Sequence, residues 1–194
     1  MFRIPIIAAT IVSLAPATPA SAQSLDPQQQ GLGGPVVPGV CLLSREAIYA
    51  NAAVAKASTA RLAELTRTAQ AAIDAQRTPL ETEVKALQGQ PDNAETRQKR
   101  DALAARWNDL QKRAAHDSSE IDATRAKVME RISTEAQPVI SQVYASKKCG
   151  LLLDRKSALG GNFANDLTAD VVKGLDAKIQ NFAFERERLP EQPQ

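Results

Sequence analysis

Cys41 and Cys149 are the two cysteines, and His116 the one histidine, of a 194-residue chain. That inventory leaves little for nucleophilic or metal chemistry. A structural zinc site takes four ligands, mostly thiolate or imidazole, and two thiols 108 positions apart with a single histidine do not supply them. His116 stands in the charged stretch "KRAAHDSSEID" beside Asp117 and Glu120, where a solvated surface histidine is expected rather than a general base. Glu81 with Glu83, and Asp154 with Asp166, are the carboxylate pairs an acid–base dyad would need. Helix solvation and turn chemistry already account for both. Gly160-Gly161-Asn162 is not followed by the Lys-Ser/Thr of a phosphate loop, so it reads as a turn. The expectation is no catalytic residue, no metal and no cofactor. Two readings of the cysteines remain: one structural bridge, or two small buried apolar side chains.

The compartment favours the bridge. Arg3, the apolar stretch Ile4–Leu14 and the A-x-A form of Ala20-Ser21-Ala22 make residues 1–22 a secretory signal cleaved near Ala22/Gln23. The stretch is too short to span a bilayer. The mature chain is expected to be exported, where disulfides persist. Removing Arg3 from 24 basic and 22 acidic residues leaves a net charge of +1. A nucleic-acid binder normally carries a concentrated basic face, so none is expected as a partner. With aromatics at 4%, the chain can build long helices but has little material for a large core.

The elements that carry the cysteines follow from pattern. Residues 23–39 form a Gln/Pro/Gly linker without periodicity, expected to be disordered, and Val40–Ser44 is a short apolar run of strand length. From Arg45, with Ser44 as possible N-cap, the pattern is helical. Leu62, Leu65, Ala69, Ile73, Gln76, Leu80, Val84 and Leu87 step by 3 and 4 as an eleven-residue repeat, the spacing of a nearly straight coil. Pro79 predicts a kink or local break. "QGQPDN" (88–93) ends this helix, and Asp92 or Asn93 caps the next. The second helix, 94–148, carries the stripe Leu103, Trp107, Leu110, Ala114, Asp117, Ile121, Thr124, Val128, with a slip to Ile132 and a bend expected at Pro138. Trp107 either packs between the arms or faces a cavity. The basic residues Arg97, Lys99, Arg100 and Arg106 are interleaved with Asp92, Glu95 and Asp101, a mixed solvated face.

Two long helices joined by a tight turn make an antiparallel hairpin over 45–148. The return arm, 92–148, is 13 residues longer than 45–88, an overshoot of roughly 20 Å. That is about the length of a six-residue strand. The chain can therefore pass back along Val40–Ser44 and enter Leu151–Asp154 parallel to it, with Cys41 and Cys149 at one end. Beyond lie a short strand or turn over 157–163 and a helix with Thr168 as N-cap and Val171, Val172, Leu175 and Ile179 on one face. A final edge strand is expected through Phe182 and Phe184, and residues 185–194 are expected to fray. The fold class is α+β, mostly α. The body, 40–44 and 149–184, is too small to bury itself alone, and oligomerisation is the usual remedy.

The order of signal, strand, hairpin, "LLLDRKSAL" and "NDLTADVVKGLD" over residues 40–179 resembles the Skp (OmpH-like) family of periplasmic chaperones. The resemblance implies a homotrimer in which small β bodies join and three hairpins hang as tentacles around a cavity. It assigns Leu42, Leu43, Leu151, Leu152, Leu153, Val171 and Leu175 to the trimer body. It implies unfolded outer-membrane proteins as clients, held without ATP in the periplasm. A membrane surface or lipopolysaccharide stands as a further partner, and no residue is singled out for client contact. The best-known members are strongly basic, whereas this mature chain is near neutral. The rival reading is a structural coiled-coil spacer or tether of the envelope, which would usually show a sustained heptad and an anchoring tail.

Overall fold

Strand β1 (Val40–Leu43) hands over to helix α1 (Arg45–Asn51) at Ser44, whose hydroxyl accepts the Ala47 N–H at 3.1 Å. The computed structural model of the chain describes residues 32–190; the expected signal segment and residues 23–31 and 191–194 lie outside that range. Helix α2 (Ala53–Leu87) follows, then α3 (Ala94–Ser146), β2 (Leu151–Asp154), a 3₁₀ turn (Arg155–Ser157) and α4 (Thr168–Lys178). The fold is mostly helical with one two-stranded sheet.

The strands pair in parallel, Val40 opposite Leu151 and Leu43 opposite Asp154, so the helices α1 to α3 are the crossover between them. Cys41 and Cys149 are joined by a disulfide with Cα atoms 5.8 Å apart. At rises of 1.5 Å per residue, the 35 residues of α2 and 53 of α3 span about 52 and 80 Å. Their turn is set locally. Gly89 takes the left-handed conformation (φ 79°) just past the end of α2, and the Asn93 side chain accepts the Thr96 N–H at 2.9 Å.

Two apolar clusters hold the molecule. The larger joins the body to the base of the hairpin: Cys41, Leu43 and Ile48 pack with Val128, Ile132 and Val139 of α3 and with Leu167, Val171 and Leu175 around α4. The smaller lies toward the tip and consists of Ile73, Leu80, Leu103 and Leu110, with Trp107 packed against it. Within the tip cluster the stripe is interrupted between Ile73 and Leu80. Gln76 is exposed and accepts a hydrogen bond from Arg113 across the arms at 3.0 Å.

Six local expectations need correction. The first helix is broken at Ala52, which is fully buried and extended (ψ 138°), although no Pro or Gly is nearby. The cause is remote: the Asp176 carboxylate accepts the Ala53 N–H at 2.7 Å and serves as the missing cap of α2. Pro79, by contrast, sits inside α2 without ending it. Thr168 is not the side-chain cap of α4. Asp166 accepts the Thr168 N–H at 2.8 Å, and the Thr168 hydroxyl accepts the Ser44 N–H at 2.9 Å, tying α4 to the β1–α1 junction. No strand forms through Phe182 and Phe184, and residues 185–190 do not fray: they run along α3, held by side chains of that helix. Last, residues 32–39 of the linker have fixed contacts, with Asn162 donating to Gly34 O at 2.8 Å and Asn165 to Val37 O at 3.2 Å.

Candidate functional site

Side chains in β2 alternate between faces of the sheet. Leu151 and Leu153 share one face and are 50% and 40% exposed, while Leu152 turns to the core cluster. Leu159 beyond the strand is fully exposed. The other side of β1 is already engaged, since Leu42 N–H donates to Asn165 O at 3.1 Å and Leu42 O accepts the Leu167 N–H at 2.9 Å. Among the described residues, the outer edge of β2 therefore carries no strand partner, and it presents leucines. Two-stranded sheets are marginal alone, and an apolar open edge is a template for pairing with another chain. Leu42, Leu43, Val171 and Leu175 are buried within the subunit; they can support such a surface but not form it.

Toward the tip, the arms enclose an open cleft of about 710 Å³ lined by Val84, Leu87, Leu103 and Trp107, with Lys85 and Arg100 among its polar groups. Trp107 packs on the tip cluster, the first of its two expected placements, and also lines this cleft. The stripe residues Leu103 and Leu110 are buried and Val84 is exposed, so the apolar seam opens toward solvent here.

A third feature has no counterpart in the sequence expectations. Glu120 is 3% exposed on α3, yet it is charged and fully engaged. Its carboxylate accepts the Leu189 N–H at 3.0 Å and lies 2.7 Å from Arg186 Nε, 3.4 Å from Arg188 and 3.2 Å from His116 Nε2. The Arg186 Nε contact is an ion pair out of line for a hydrogen bond; the guanidinium's aligned bond goes to Asp117, at 2.7 Å. Burial works to raise the Glu120 pKa, but the Leu189 N–H and the charges of Arg186 and Arg188 outweigh it and hold the carboxyl below its usual range. His116 is accordingly half-buried against a carboxylate rather than solvated. The arrangement holds the chain's own residues 186–189 against α3. Among the described residues no group of three His, Cys, Asp or Glu side chains is placed to hold a metal ion, and no helix is long and apolar enough to cross a membrane.

The comparisons agree with this architecture. A family model described as outer membrane protein (OmpH-like) matches residues 39–175. The crystal structure of a candidate outer membrane chaperone (OmpH-like) from Caulobacter crescentus CB15 is similar with a TM-score of 0.74 and 36% identity, covering 84% of this chain and 98% of that one. No curated protein matches the sequence.

Proposed function

The chain belongs to the OmpH-like outer membrane protein family, and from that membership we propose that it is an ATP-independent periplasmic holdase for unfolded outer-membrane proteins. In this reading the signal over 1–22 directs export, and three copies assemble through the outer edge of β2. Leu151 and Leu153 form the contact, and Leu42, Leu43, Leu152, Val171 and Leu175 back it from within each body. Three hairpins then enclose the space in which clients are held.

The observation that carries the reading is the contrast between the two ends of the subunit. The body buries its core yet leaves an apolar strand edge uncovered, which assembly would satisfy. The arms are long, thinly cored and open at the Trp107 cleft, which suits weak contacts with many sequences better than one tight site. The near-neutral charge supports apolar grip over electrostatic capture, for lipopolysaccharide and membrane surfaces as for clients.

Two measurements test this. Native mass spectrometry should give three times the subunit mass, and Leu151→Asp with Leu153→Asp should give monomers. The purified protein should keep a urea-unfolded β-barrel protein soluble on dilution. Shortened arms, with residues 80–103 replaced by a turn, should stay trimeric but protect poorly. A shortened trimer that protects as well as the intact protein would instead favour an envelope spacer.

A further inference from the structure

The segment after α4 lies beyond the family-matched stretch, and it is bound like a ligand. Lys178 stands at Glu135, Phe182 under Arg131 (5.3 Å from guanidinium carbon to ring centroid), and Leu189 at Glu120. It therefore runs antiparallel to α3 as an extended chain. Phe182 and Phe184 pack against the large core cluster with ring centroids 5.6 Å apart. Farther along, the groove holds main chain as well as side chains: Thr124 Oγ1 accepts the Glu187 N–H at 2.9 Å, Glu120 accepts the Leu189 N–H at 3.0 Å, and the Arg186 guanidinium pairs with Asp117 and Glu120, each at 2.7 Å.

Both sets of contacts have a period of two residues, the period of an extended strand. The apolar pair falls at 182 and 184, and the main-chain donors fall at 187 and 189. Hydrogen bonds to backbone N–H groups do not depend on the identity of the residue that supplies them, which is how sheet edges recognise diverse peptides. A groove of this kind takes extended polypeptide with apolar rings at alternate positions followed by free amides, and its Asp117–Glu120 pair favours a basic side chain two positions after the second ring.

We propose that Phe182–Leu189 is a displaceable stand-in occupying a groove on α3 that binds extended segments of unfolded polypeptide with aromatic residues at alternate positions. The partner class rests on the chaperone reading above; the groove itself does not. Tethering gives the segment a high effective concentration, so an outside peptide competes at a disadvantage until the segment is loosened.

The test uses the full chain and a fluorescent synthetic peptide of residues 181–190. In the loosened variant, Phe182→Ser, Phe184→Ser and Arg186→Ser remove the segment's anchors and leave the groove side chains intact. The peptide should bind this variant at least tenfold more tightly than the unaltered protein. A peptide carrying both Phe→Ser changes should bind at least tenfold more weakly than the parent peptide. Equal binding to both proteins, or equal binding of both peptides, overturns the proposal. If circular dichroism finds the variant unfolded, the unaltered protein decides. Saturated with a urea-unfolded β-barrel protein, its Glu187 and Leu189 amides should exchange at least tenfold faster, and unchanged protection in a formed complex overturns the groove. Failure to form any complex instead removes the chaperone reading, and the peptide comparison still decides the groove.

Discussion

Gly174 marks a close approach of α4 to α3. A Cβ built there lies 2.7 Å from Val139 Cγ1, short of ordinary carbon contact by roughly 1 Å. Val139 is buried and stiff at χ1, so it cannot swing clear. Gly174→Ala should then do two opposed things. Within a helix, alanine is favoured over glycine by about 1 kcal/mol. Overpacking against a fixed neighbour costs about 1–3 kcal/mol, so the net effect is a destabilisation of roughly 0–2 kcal/mol. Val139→Ala removes the obstructing methyl groups at its own cost of about 2 kcal/mol. In that background the same Gly174→Ala change should reverse sign and stabilise by about 1 kcal/mol. The assay is urea unfolding followed by far-UV circular dichroism, at one protein concentration because assembly shifts the midpoint. The four proteins should share an m-value and differ in midpoint, with a coupling of about 1–3 kcal/mol between the sites. Gly174→Ala stabilising both backgrounds equally would refute the close-packing argument.

Three further outcomes follow from contacts already described. Asp176→Ala should cost about 1 kcal/mol through the lost cap of α2, and exchange at the Ala53 amide should rise more than at Leu110. Cys41 and Cys149 should be bridged within one chain on non-reducing peptide mapping, and removing the bridge should cost on the order of 4–5 kcal/mol in loop entropy before strain, read as a lower urea midpoint. Glu120 has a lowered folded-state pKa, so below its unfolded value the unfolded chain binds more protons and stability rises with pH. The docked C-terminal segment should therefore be fully held above about pH 4.3 and loosen as pH falls through the lower folded value. Amide exchange at Glu187 and Leu189, corrected for intrinsic rates, checks this, and Glu120→Gln should flatten the profile. Glu135, lowered by its hydrogen bond to Lys178 and the pairing with Arg131, acts in the same sense at the other end of the segment.

The hairpin and the parallel strand pair were legible because they are written in long-range regularities: a stripe at steps of three and four, and an arm too long for its partner. Ser44 was legible as a cap, and Asn93 as one of two candidates with Asp92, because capping is a local bargain between neighbours. What escaped depends on partners far away in sequence. The break at Ala52 carries no local breaker, because Asp176 supplies its cap from α4. Glu120 read as one more solvated charge, since its neutralising Arg186 comes only after the whole body. The alternation of Phe182 and Phe184 was read correctly as extended chain and wrongly as a strand. A period of two fixes the conformation of a segment but not the hydrogen-bonding partner, and here the acceptors are helix side chains. The outer edge of β2 is the converse case. Its exposure is invisible in "LLLDRKSAL", where three consecutive leucines look equally buried.

The Cys41–Cys149 bond sits where the chain enters and leaves the hairpin, and this fixes the path of mechanical load. A pull between the segment before Val40 and the segment after Gly150 crosses from one cysteine to the other and never reaches residues 42–148. The arms are a side loop off a covalent line. Tension transmitted along the backbone, from a translocating neighbour or an entangled client gripping both ends, can drag the body without unzipping the helices. Under reducing conditions the same pull would be borne by the parallel β1–β2 ladder, which would have to shear before the hairpin could be drawn out.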